Sequence, residues 1–113
     1  MEELRKAQVF YNKDLAGYIT ETKEGYIFVY DKEFIKKNIP ISMSLPIREE
    51  PYVSKELFSF FKGLLPEGWY LDIVSATQKV DREDLFGLLL CTTNLDTIGA
   101  VTVRKTGDEP KNG

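Results

Sequence analysis

A chain of 113 residues with 42% apolar, 29% charged and 12% aromatic side chains has enough apolar mass for one domain with a core, too little for two, and too much to stay disordered. Lys and Arg number 15 and Asp and Glu 18, a net charge of −3, which gives no electrostatic reason to expect nucleic acid as the main ligand. Histidine is absent, which removes the commonest general base and metal ligand, and the single Cys91 excludes an internal disulfide or a CxxC metal site. The longest uncharged run, Leu85 to Leu95, is too short to cross a bilayer, and the charged start Met1-Glu2-Glu3-Leu4-Arg5-Lys6 lacks the apolar region of a signal peptide. The expectation is a soluble cytoplasmic protein with no membrane partner and no catalysis of its own.

The first third reads as strands. Ala7 to Tyr11 is β-branched and aromatic, Asn12-Lys13-Asp14 supplies a turn, Leu15 to Thr22 alternates, Lys23-Glu24-Gly25 turns again, and Tyr26 to Tyr30 follows. Three short strands with tight turns make an antiparallel meander. Apolar residues on both faces of the third, Tyr26/Phe28/Tyr30 against Ile27/Val29, predict a central strand covered on both sides. Asp31 to Asn38 fits a short helix or turn with Phe34 and Ile35 inward. The segment Ile39 to Ile47 holds Pro40 and Pro46 and alternates Ile41/Met43/Leu45, so it reads as an extended segment or edge strand and not as a helix.

Helices dominate the second half. Ser54 is a suitable N-cap, and Leu57, Phe60, Phe61, Leu64 and Leu65 recur with helical spacing. Pro66 stops that helix and opens another, whose broad face is Trp69, Tyr70, Ile73, Val74 and Thr77. A third helix is expected from an Asp81 N-cap, with Asp84 at the capping-box position and Leu85, Leu88 and Leu89 inward. Asn94 can take the left-handed conformation that ends it. Gly99 to Arg104 returns as a strand with Val101 and Val103 on one face, and the polar run from Thr106 is a tail. The fold class is therefore α+β: an antiparallel sheet from the N-terminal half plus a late strand, packed against helices from the second half.

No GxxxxGK[ST] or GxGxxG phosphate cradle and no acid-rich metal loop occurs in the chain. Asp81-Arg82-Glu83-Asp84 is explained by capping and by the helix dipole. Cys91, among leucines and with no histidine to activate it, reads as a small core residue before it reads as a reactive thiol. Two loops remain. Ser42-Met43-Ser44-Leu45-Pro46 either presents hydroxyls to a ligand or is a sheet edge whose serines bond locally. Gly63-Leu64-Leu65-Pro66-Glu67-Gly68-Trp69 specifies a particular backbone path with two glycines and a proline. The only tryptophan follows it, as a core residue or as an exposed aromatic anchor.

Four elements in order carry a family resemblance: Ile41-Ser42-Met43-Ser44-Leu45-Pro46, Phe60-Phe61-Lys62-Gly63-Leu64-Leu65-Pro66-Glu67-Gly68, Asp84-Leu85-Phe86-Gly87-Leu88-Leu89 and Asp96-Thr97-Ile98-Gly99-Ala100-Val101. From about Ala7 to Arg104 the chain resembles the N-terminal domain of HipA-type toxin kinases, also called the couple-HipA domain. Asn94 stands where that family commonly has glycine, and asparagine tolerates the same backbone. The resemblance implies one domain over residues 1–105 and a polar tail over 106–113. Kinase chemistry in the full-length family belongs to its C-terminal portion, and this chain has no HxDxxxxN-like loop. No catalytic residue, cofactor or metal ligand is therefore carried over.

What the resemblance implies instead is a HipS-like antitoxin that binds and neutralises a HipA-like, HipT-type serine/threonine kinase toxin. A helix-turn-helix HipB-like protein would complete the complex. The alternative is the N-terminal subdomain of a full-length HipA-like kinase, structural and regulatory in cis. An independent DNA-binding module is disfavoured by the net charge and the lack of a basic helix. The expected partner-binding residues are Pro66, Glu67, Gly68, Trp69 and Tyr70, with Ser42 and Ser44.

Overall fold

Two tight turns set the sheet. Asn12 adopts φ 56 between β1 (Glu3–Tyr11) and β2 (Asp14–Thr22), a conformation its short polar side chain tolerates. Between β2 and β3 (Gly25–Tyr30), Gly25 sits at φ 149, and a Cβ there would lie 2.2 Å from the Ser54 carbonyl oxygen. The computed structural model describes residues 3–65, 68–92 and 101–105. The remaining described elements are α1 (Lys32–Ile35), β4 (Tyr52–Ser54), α2 (Ser59–Lys62), α3 (Gly68–Gln78), α4 (Leu85–Thr92) and β5 (Val101–Lys105). The strands pair antiparallel in the order β4-β3-β2-β1-β5, so the fold is α+β and the late strand joins the sheet beside β1.

Cross-strand rows place Ala7, Ile19 and Phe28 together, and Val103, Val9, Gly17 and Tyr30 together, on one face. Ala7, Val9, Ile19, Phe28 and Val103 are fully buried there. Helices cover this face through Phe34 of α1, Phe61 of α2, and Phe86 and Leu89 of α4. Their burial supplies about 1.5–3 kcal/mol per large side chain. Helix α3 lies against α4 through a second, smaller cluster of Leu71, Val74 and Leu88.

Several expectations need correction. Strand β3 is interior, paired with β2 and with the three-residue β4, but β2 is the middle strand and β3 is not fully covered on both faces. Ile27 and Val29 on its other face are half-buried; β-branched residues suit a strand on conformational grounds and do not require a second layer. Strand β1 begins at Glu3, ahead of the expected Ala7, because the charged start contains an arginine that finds carboxylates across the sheet.

The continuous helix expected from Ser54 through Leu65 is absent. Ser54 ends edge strand β4 opposite Tyr26, and its hydroxyl accepts the Glu56 N–H at 3.3 Å. The helical spacing is met by a single turn, α2, followed by i to i+3 bonds from Leu64 to Phe61 and from Leu65 to Lys62. The Ile39–Ile47 segment is neither a strand nor extended at its centre: the Leu45 N–H donates to the Ser42 carbonyl at 3.0 Å and closes a turn. Ile41 and Leu45 are buried while Met43 points into solvent. Of the face expected on α3, Val74 is buried but Ile73 and Thr77 are exposed, and Leu71 takes the inward place. Helix α4 starts after Asp84, because the Asp81 carboxylate is used in a preceding turn where it accepts the Glu83 N–H at 2.9 Å. Asn94, the Asp96–Ala100 run and the 106–113 tail lie outside the described residues.

Candidate interaction surface

The junction between α2 and α3 is built on the core. Leu64 and Leu65 pack against the main cluster, and Leu65 also touches the second one, so the junction spans both. Gly68 opens α3 and is exposed. Tyr70, half-buried, packs against the Leu71, Val74 and Leu88 cluster. Arg82 Nε donates to Asp72 Oδ1 at 2.8 Å and ties the turn before α4 to the exposed side of α3. Pro66, Glu67 and the side chain of Trp69 lie outside the described residues. On α3 the described residues Asp72, Ile73 and Ala76, at helical spacing from position 69, are all exposed.

Ser42 and Ser44 form the second loop. The Ser44 N–H donates to Ser42 Oγ at 3.1 Å, and the two hydroxyls bond each other at 2.9 Å. Beneath them the buried Tyr30 hydroxyl accepts the Ile41 N–H at 3.1 Å and donates to the Leu45 carbonyl. Burial raises the Tyr30 pKa, which keeps that hydroxyl a donor. Ile41 and Leu45 belong to the same cluster that Leu64 and Leu65 pack against, so both loops rest on one core.

A charged anchor that sequence reasoning missed holds α4 to the sheet. Arg5 donates from Nε and Nη2 to Glu21 at 2.6 and 3.0 Å, and from Nη1 and Nη2 to Asp84 at 2.9 and 2.7 Å. Its guanidinium lies 5.2 Å from the Phe86 ring centroid. Asp84 Oδ1 also accepts the Gly87 N–H at 3.1 Å, capping α4. Gly87 has no room for a side chain: a Cβ would meet Asp84 Oδ2 at 2.4 Å and Arg5 Nη1 at 3.1 Å. Arg5 and Asp84 are 79 residues apart, so no local pattern joins them. Only the capping role of Asp84 had a signal in the sequence.

The hydrogen bonds to Glu21 and then Asp84 push the Arg5 pKa above its ordinary value, and the bond from Arg5 holds Asp84 below its ordinary 3.8. A carboxyl held below its unfolded pKa binds fewer protons folded than unfolded. Its contribution is complete above about pH 3.8 and is lost as pH falls through the folded value. Asp84→Ala is expected to cost about 1–2 kcal/mol at neutral pH, as a lost cap plus a part-exposed ion pair. In urea titrations the gap from wild type should narrow below that pH; an unchanged gap would show that Asp84 acts by packing alone.

Among the described residues no group of three or more His, Cys, Asp or Glu could hold a metal ion. No helix there is long and apolar enough to cross a membrane. Cys91 is half-buried and packs against the second cluster. The shifted groups Arg5, Asp84, Tyr26 and Tyr30 are placed in structural contacts.

The HipA N-terminal domain family matches residues 7–104. The chain belongs to that family. Among solved structures, the N-terminal domain of HipA toxin superposes with a TM-score of 0.72 at 29% identity, covering 96% of this chain and 99% of that one. The match ties this HipA N-terminal domain to toxin–antitoxin biology. A Haemophilus influenzae protein whose name assigns it no function is 32% identical over 102 residues, covering 90% of this chain and 93% of its own length. A candidate kinase of Sinorhizobium fredii is 30% identical over 110 residues, covering 95% of this chain but 26% of its own length. The HipA N-terminal domain thus spans about a quarter of that second relative.

Proposed function

We propose that this HipA N-terminal domain is a protein-binding module that engages a HipA-like serine/threonine kinase and restrains it, as the antitoxin of a toxin–antitoxin system. The observation that carries this reading is the 93% coverage of the Haemophilus influenzae relative, which shows a domain of this size making up nearly a whole protein. The surface assigned to the kinase is the junction from Pro66 to Tyr70, anchored by Trp69, together with the Ser42–Ser44 turn. The exposed stripe of Asp72, Ile73 and Ala76 supports that assignment, because it continues from position 69 with an exposed apolar side chain at Ile73. A HipB-like helix-turn-helix protein would join the complex, and the complex would be cytoplasmic.

The Sinorhizobium fredii relative favours a second reading, since there a matching stretch is one part of a longer candidate kinase and would act in cis. Gene context separates the two. A neighbouring reading frame for a kinase that lacks this domain supports the antitoxin, and one frame continuing past Gly113 supports the in-cis subdomain. The direct experiment is co-expression with the neighbouring kinase: growth arrest by the kinase should be relieved by this chain, with a complex recovered on purification. Arrest unrelieved by a well-folded chain would reject the antitoxin reading.

The chain is also expected to bind no ATP and to transfer no phosphoryl group, since its sequence holds no nucleotide-cradling motif. Saturable ATP binding by calorimetry, with a raised unfolding temperature, would contradict this.

A further inference from the structure

We infer that the Ser42–Leu45 turn is a docking knob: the Met43 thioether enters an apolar pocket on the kinase, and the two serine hydroxyls serve the turn itself. This rests on the kinase-binding reading above.

Met43 is 96% exposed, while Ile41 and Leu45 on either side are 7% and 3% exposed. An exposed methionine on a free loop would mean little. This one projects from a backbone held on both sides by the Tyr30 hydroxyl and closed by the Leu45 to Ser42 bond. The following segment is pinned too. Tyr52 Oη donates to the Pro46 carbonyl at 2.7 Å, and the Arg48 guanidinium lies 3.6 Å from the Tyr52 ring centroid. Arg48 then donates to the Glu50 and Pro51 carbonyls at 3.1 and 2.9 Å. A loop ordered before binding loses less entropy on binding.

The chemistry of the knob is apolar. Ile39 to Ile47 contains no charged side chain, and Ile39, Pro40 and Pro46 are exposed beside Met43. Both serine hydroxyls are engaged with each other, and Ser42 Oγ also accepts the Ser44 N–H. An unbranched, polarisable thioether adapts to an irregular apolar pocket, which neither a phosphate nor a carboxylate would supply. The occupant argued for is the kinase portion, because in the Sinorhizobium fredii candidate kinase the stretch matching this chain is 26% of one longer polypeptide, so a domain of this kind and the rest of that protein occur in one chain.

The test is calorimetric affinity of the full chain for the purified HipA-like kinase encoded beside it. Met43→Ala should weaken binding about tenfold, and Met43→Leu, which keeps an apolar side chain of similar size, should stay near wild type. Unfolding midpoints should not move for the Met43 variants, since so exposed a side chain supports no core. Wild-type affinity in Met43→Ala overturns the knob and leaves the kinase reading standing, as does a loss in Met43→Leu as large as that in Met43→Ala. A wild-type chain that binds no kinase overturns both.

Discussion

Phe61→Ala is expected to destabilise the domain by about 3–5 kcal/mol, a large share of the roughly 5–15 kcal/mol typical of a small domain. Phe61 is fully buried, although the helix that carries it is a single turn. Its ring centroid lies 5.7 Å from that of Phe28 on β3, 6.2 Å from Phe58 and 5.2 Å from Phe60, each in a tilted or edge-on arrangement. Truncation removes the α2 side of this aromatic group and leaves a cavity beneath a sheet that cannot close over it. Phe60 is half-buried, so Phe60→Ala should cost clearly less. Urea titrations of both variants read this as shifted midpoints at an unchanged slope. Equal midpoints for Phe61→Ala and wild type, or a larger loss in Phe60→Ala, would show that the inward side of α2 is wrongly assigned.

The N-terminal meander was legible because its signals are local: alternation, two polar turns and β-branched residues act within a few positions. The failures came where distant contacts decide. Ser54 has every property of an N-cap, yet its backbone pairs with Tyr26, and an edge strand outcompetes a helix start there. The alternation of Ile41, Met43 and Leu45 suggested a strand, but the buried Tyr30 hydroxyl gathers the backbone on either side of Met43 into a turn. Helix α3 shows the same limit: the inward side was set by Leu88 on α4, which selects Leu71 and Val74 over Ile73. The proposed interaction surface rests on unusual composition, two glycines and a proline ahead of the only tryptophan, and Pro66, Glu67 and the side chain of Trp69 lie outside the described residues. The Arg5 anchor was not legible, because its partners come from β2 and from the cap of α4.

Trp69→Ala is expected to weaken binding to the kinase by about 2 kcal/mol or more while leaving the fold nearly intact. The backbone of α3 supplies the reason. Among its described residues Leu71 and Val74 are buried and cluster with Leu88, while Asp72, Ile73 and Ala76 lie in solvent. Those three exposed residues stand three, four and seven positions after Trp69, the spacing of helical neighbours, and the anchor reading rests on them. The core does not call for an indole either, since Phe28, Phe61 and Phe86 already fill its largest volumes. A tryptophan buries a large area with little rotamer entropy and keeps one N–H donor to fix its orientation, which suits an anchor. The opposite assignment, a core tryptophan, predicts lost stability first and lost binding only as its consequence. Two measurements on one variant separate them: the unfolding midpoint and the affinity for the kinase. A variant that melts early rejects the anchor, and so does one that binds as tightly as wild type. Ile73→Ala serves as a companion, because Ile73 is 49% exposed on the same stripe and its truncation should lower affinity without moving the midpoint.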